Sequence, residues 1–173
     1  MAPPGRVSRG ALVVTVSTRA SAGVYADESG PAAAQALRSL GFEVGDVVVV
    51  PDGPAVGSVL RQAVDERYAL VVTTGGTGLA PDDVTPEQTA PLLDRPVPGL
   101  AEAVRAAGVA AGATAAVLSR GVAGLAGRTL LVNLPGSTSA VVESLAAIGA
   151  ALLHATEQVA GGDHPRHGHG PAR

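Results

Sequence analysis

The chain has 173 residues, 46% of them hydrophobic, with 15 acids against 12 bases and a formal charge of −3, which is one domain's worth of sequence able to bury a core without metal or disulfide staples. Every basic residue is Arg and there is no Cys, which excludes a P-loop lysine, a Schiff base, a lysyl-nucleotide intermediate, a thiolate nucleophile and a thiolate metal site. With no Trp, one Phe and two Tyr on a slightly acidic chain, the basic stripe and stacking platform of a nucleic-acid partner are missing too.

Residues 1–10 carry two Arg and two Pro ahead of an apolar stretch, 11–16, interrupted by Thr15. That is shorter than a signal peptide or a spanning helix requires, so the expectation is a flexible N-terminus, no membrane partner and a cytoplasmic protein. Residues 12–16 form the first expected strand. Pro31 near the start, Gly41 past the end and Ala33, Leu37 and Leu40 on one face predict a helix over 30–40. Four valines, 47–50, predict a second strand that Pro51 ends. Pro54 then opens a helix striped by Val56, Leu60 and Val64, and residues 69–73 are a third short apolar run. A glycine-rich stretch, 74–78, follows directly, and Thr85-Pro86-Glu87-Gln88 reads as a helix start with Thr85 as its cap. Leu100, Val104 and Ala107 set another helical face, ended by Gly108 and Gly112; further strands are expected at 115–118 and 129–133. After Pro135-Gly136-Ser137, one long helix carries Val141, Leu145, Ile148, Leu152 and Val159. The alternation of β-branched runs and alanine-rich helices predicts a layered α/β domain over residues 11–160. Residues 161–173, rich in Gly, His, Pro and Arg, cannot offset the cost of ordering and are expected to be a disordered tail.

The chemistry concentrates after the strands. Gly75, Gly76 and Gly78 with Thr74 and Thr77 let the backbone reach positive φ and present successive N–H groups to an oxyanion, or simply make a tight turn. Asp52 follows the second strand and Asp82 and Asp83 follow the glycine loop. In a parallel sheet, loops at the carboxyl ends of neighbouring strands share one crevice, where Mg²⁺ would reconcile carboxylates with phosphate; taken by itself, Asp52 reads rather as the Asp of a Pro-Asp-Gly turn. Pro135, Gly136 and Ser137 precede the long helix as a second anion site, or Ser137 or Ser139 caps it. Arg19 reads as a phosphate partner or a solvated loop residue. His154 reads as a packed or surface residue rather than a base, and His164, His167 and His169 as a weak metal site or an incidental tail.

Thr73 to Gly78, followed by Asp83-Val84-Thr85-Pro86-Glu87, resembles the molybdenum cofactor biosynthesis family of the MogA/MoaB type, which also occurs as gephyrin-type domains. Ser17 to Gly30, Val97-Pro98-Gly99-Leu100 with Glu102 and Arg105, Ser119-Arg120 and Asn133 to Ser137 agree in order and spacing. The resemblance implies a three-layer α/β/α domain with a mostly parallel sheet, a homotrimer or hexamer, and molybdopterin adenylyltransferase activity using ATP and Mg²⁺. It implies Asp52 and Asp83 as catalytic, Mg²⁺-binding carboxylates. It further implies Ser17, Thr74, Gly75, Gly76, Thr77, Gly78, Pro135, Gly136 and Ser137 as binders of molybdopterin and nucleotide. Thr18 and Asp82 stand where the family often has Asp and Arg. A non-catalytic molybdopterin carrier of the same family is the alternative.

Overall fold

The computed structural model describes residues 9–161. The expected flexible terminus and disordered tail, with His164, His167 and His169, fall almost wholly outside the described residues. Arg9 and Gly10 are within them: Gly10 opens the first strand and Arg9 pairs with Glu157 at 3.0 Å.

The strands are β1 (Gly10–Val16), β2 (Glu43–Val44), β3 (Val48–Val50), β4 (Leu70–Thr74), β5 (Arg95–Pro96), β6 (Ala123–Ala126) and β7 (Thr129–Leu134). The helices are α1 (Thr18–Ser21), α2 (Ser29–Ser39), α3 (Pro54–Asp65), α4 (Thr85–Thr89), α5 (Pro98–Ala110) and α6 (Thr138–Val159). One seven-stranded sheet runs β2-β1-β4-β7-β6-β5, with β3 also on β1. β1, β3, β4 and β7 are mutually parallel, and β6 and β5 join antiparallel at the edge.

The central strands are apolar throughout because both faces are covered. Val13, Leu70, Val72, Leu130 and Val132 pack toward α2 and α6, while Val14, Val71 and Leu131 alternate to the side of α3. This confirms the three layers. In α6 the stripe Val141, Leu145, Ile148 and Leu152 is at most 1% exposed, and Thr156, not Val159, continues it. Among the described residues α6 is the one helix long and apolar enough to cross a membrane by length and composition; here its stripe lies in the sheet-facing core. Ile148→Ala should cost about 2–5 kcal/mol, read as a lowered urea midpoint at unchanged slope.

Three sequence expectations need correction. Residues 115–118 are not a strand: Thr114–Leu118 is a 3-10 turn with Val117 and Leu118 exposed, since a short apolar run carries no period that separates strand from helix. The sheet position goes instead to β6, whose Ala-Gly-Leu-Ala lacks strand propensity and is held by its hairpin with β7 across Gly127 at φ 58. Gly108 does not end α5, which runs to Ala110; a Cβ there would stand 2.6 Å from Ala116 Cβ, so this glycine lets the 3-10 turn pack closely. Thr85 starts α4 but does not cap it: Val84 is the cap residue, and the Thr85 hydroxyl turns inward.

Candidate active site

The carboxyl ends of β1, β4 and β7 carry the segments that the sequence singled out. The loop after β4 turns sharply at Gly75 (φ 93) and Gly76 (φ 63), a left-handed course open to glycine at little cost. Gly75 meets the loop after β7 directly: its N–H donates to Leu134 O at 3.1 Å, and a Cβ on Gly136 would lie 3.2 Å from Gly75 Cα. Two strand ends are thereby fused into one floor. The amides of Gly76, Thr77 and Gly78 donate to no protein acceptor among the described residues, which leaves three successive donors for an anion. Beside them α6 opens with Ser137 as N-cap, its Oγ accepting from Ala140 N at 3.4 Å. The cap reading therefore holds, and the remaining amides of that first turn stay available.

Two cavities flank this floor. One of about 410 Å³ is lined by Gly75, Gly76, Thr77, Gly78, Asp83 and the Pro135-Gly136-Ser137 turn, with an apolar wall from α5 and the 3-10 turn. The other, about 570 Å³, is lined by Ser17, Tyr25, Asp27, Ser29 and Thr74, and shares Gly136 and Ser137 with the first. Ser17 caps α1 and meets Tyr25 Oη at 2.8 Å. Arg19 lies over the Tyr25 ring, 5.2 Å from its centre, so its guanidinium is engaged locally. Thr74 is fully buried, its Oγ1 2.9 Å from Ser29 Oγ. Asp27 accepts from Thr15 Oγ1 at 2.7 Å and from Gly30 N at 3.1 Å. Asp27 and Ser29 were legible only as part of a motif: the N-cap of α2 is Glu28, and Asp27 holds the helix start from one residue earlier through Gly30 N.

The two carboxylates reach one loop from different sides. Asp83 faces the first cavity, its Oδ2 accepting from Ala80 N at 3.2 Å; a Cβ on Gly78 would stand 2.5 Å from that oxygen, so glycine makes its room. Asp52 lines neither cavity. Its Oδ1 accepts from Gly53 N at 2.8 Å and Val84 N at 3.2 Å, tying the end of β3 to the residue after Asp83. Its Oδ2 and the Thr85 hydroxyl are buried without a hydrogen-bond partner, each within 2.2 Å of where a Gly76 Cβ would be. Burial pushes the Asp52 carboxyl above its ordinary 3.8, Val84 and Gly53 oppose this, and the charges of Asp83 and Asp82 add to it.

These donors suit Mg²⁺. No group of three or more His, Cys, Asp or Glu converges among the described residues, and Mg²⁺ commonly takes one or two carboxylates plus substrate phosphates. The orphan Asp52 Oδ2 is an anionic oxygen that a cation would neutralise. Without one, Asp52→Asn should be as stable as the parent or about 1 kcal/mol more so, since a neutral amide costs less to bury than a carboxylate with an unpartnered oxygen. A raised folded-state pKa means that ionisation weakens the fold as pH rises. The difference should therefore be largest at neutral pH and fade below 3.8, as urea midpoints across pH would record.

The family model described as "Probable molybdopterin binding domain" matches residues 12–155. The chain belongs to this family. It is 39% identical to the molybdopterin adenylyltransferase of Haemophilus influenzae, over 77% of this chain and 69% of that protein. It is 37% identical to the molybdenum cofactor biosynthesis bifunctional protein of Synechococcus elongatus over 89% of this chain, and spans only 48% of that relative's length. A solved structure, the molybdopterin biosynthesis Mog protein of Mycobacterium ulcerans, superposes with a TM-score of 0.82 at 47% identity, covering 87% of this chain and 99% of that one. The fold and family implied by the glycine-loop motif are thus established for this chain.

Proposed function

We propose that this molybdopterin-binding domain is an adenylyltransferase of molybdenum cofactor biosynthesis. It transfers AMP from ATP to the terminal phosphate of molybdopterin. A phosphate oxygen of molybdopterin forms the new bond to the α-phosphorus of ATP; the bond from that phosphorus to the bridging oxygen breaks, and pyrophosphate departs with the electron pair. The nucleophile belongs to the substrate, so a chain without Lys or Cys loses nothing by it. The observation that carries this reading is the set of unpartnered amides at Gly76, Thr77 and Gly78, beside the first turn of α6, in one cavity with Asp83.

The glycine-loop amides and the Pro135-Gly136-Ser137 turn would hold two phosphate groups in line, and fixed dipoles lower the barrier without reorganising. The apolar wall from Val104, Ala116 and Leu118 would cover a flat heteroaromatic ring and shield the phosphates from water. Ser17 would bind at the second cavity, and Thr74, buried beneath it, would position Ser29 there. Asp83, which faces the cavity, would hold Mg²⁺, which supplies charge neutralisation at the reacting phosphates, and Asp52 would steady the residue after Asp83 from behind the loop. Residues 11–160 form the catalytic domain in this reading, acting as a cytoplasmic homotrimer or hexamer. Protein incubated with MgATP and molybdopterin should yield adenylylated molybdopterin and pyrophosphate; tight molybdopterin binding without pyrophosphate release would select the carrier function instead.

A further inference from the structure

Residues 79–82 are an exposed excursion between the glycine loop and α4, with Leu79 65% exposed. Their own bonds are local: Asp83 N donates to Ala80 O at 3.0 Å, and Ala80 N to Asp83 Oδ2 at 3.2 Å. Such a turn fixes its shape but not its orientation, so the direction of the Asp83 carboxylate depends on what grips the excursion from outside. On one flank Asp52 takes the amide of Val84. On the other stands a single side chain, Arg120. Its Nε donates to Gly78 O at 2.8 Å, one terminal nitrogen donates to Asp83 O, and the other pairs with Glu87. Its backbone N–H adds a bond to Thr77 O at 2.9 Å.

Arg120 is itself anchored. Arg105 of α5 donates to the carbonyls of Ser119 and Gly121, at 3.3 and 3.2 Å, on either side of it. Ser119 Oγ meets Thr77 Oγ1 at 3.4 Å. The guanidinium therefore transmits the position of α5 to both ends of the acid-bearing excursion.

We propose that Arg120 is a positioning residue that sets the direction in which Asp83 faces the cavity. Three acceptors in three directions, two of them carbonyls bracketing residues 79–82, require a planar fork of donors. A lysine ammonium offers one point of charge on a flexible stem and cannot reproduce it. The kinetic readout rests on the adenylyltransferase reading; the structural readout does not.

The test compares Arg120→Met, Arg120→Lys and Glu87→Gln with the parent in kcat, KM for molybdopterin and thermal midpoint. Arg120→Met should lower kcat about 10- to 100-fold, the scale of a small misplacement of a reacting group, with KM for molybdopterin unchanged. Arg120→Lys should not restore it, and Glu87→Gln, which keeps both carbonyl bonds, should lose less. Parent kcat in Arg120→Met, full rescue by Lys, or a loss confined to KM would overturn the proposal. Should Arg120→Met fail to fold, the Lys and Glu87→Gln variants decide by the same criteria. If the parent itself makes no adenylylated product, the adenylyltransferase reading fails separately, and amide hydrogen exchange then judges Arg120. Faster exchange confined to residues 78–84 in Arg120→Lys supports it, and an unchanged or uniformly raised rate overturns it.

Discussion

Asp83→Asn should lower kcat for adenylylated molybdopterin formation by at least about 10²–10³-fold, the scale on which removing one electrostatic contributor is felt, while the unfolding midpoint stays close to the parent's. The separation of the two effects follows from how the residue is held. Its carboxylate lines the cavity and receives one local amide, from Ala80, which an Asn Oδ1 accepts equally well. The main chain of residue 83 is held by Arg120, whatever the side chain. Stability and turnover, measured on the same preparation, distinguish this outcome from a folding defect. A variant with parental kcat would remove Asp83 from the chemistry.

Gly75→Ala should destabilise the fold strongly. Its Cβ would stand 2.4 Å from the main-chain carbonyl oxygen of Val16 and within 3.9 Å of Gly136 Cα, at a φ of +93. That carbonyl cannot rotate away, because Val16 is the last residue of β1, while the approach to Gly136 Cα is ordinary contact. Steric overlap of this kind costs about 1–3 kcal/mol, and a left-handed backbone adds about 1 kcal/mol or more for a side-chain-bearing residue. Together these lower the urea midpoint and separate the two anion loops, so turnover falls with stability. Gly99→Ala is the control: nothing lies within 4 Å of its Cβ position, and it sits in α5. There the change should be neutral or stabilise by up to about 1 kcal/mol. Equal midpoints for Gly75→Ala and Gly99→Ala would show that the loop floor is not tightly packed.

Most of the sheet was legible because its central strands are continuous apolar runs. Val71-Val72 and Leu130-Leu131-Val132 can be read from composition alone, since burial on both faces leaves no polar alternation to interpret. The edge was not legible. β5 is Arg95-Pro96 and β6 is Ala-Gly-Leu-Ala, strands whose pairing is imposed by neighbours rather than by propensity. The run at 115–118 failed in the opposite sense, being apolar but too short to carry a period, and it folds as a 3-10 turn. At the site, the glycine loop announced itself because three glycines in four positions have few structural uses. Asp52 was found, but its placement behind the loop, bonded to Val84 and packed on Gly76, is a tertiary fact with no local signature. Arg120 illustrates the same limit: its partners are 33 to 42 positions away in the chain, a separation invisible to spacing arguments.

A crystal structure with a non-hydrolysable ATP analogue and Mg²⁺ bears most directly on the convergence of the three strand-end loops upon a polyphosphate. Phosphate oxygens should lie within about 3 Å of the amides of Gly76, Thr77 and Gly78, beside the Pro135-Gly136-Ser137 turn, with the cation on Asp83. Nucleotide bound at the amino ends of β4 and β7, in the groove between Arg67 and Arg128, with those amides left untouched, would contradict it.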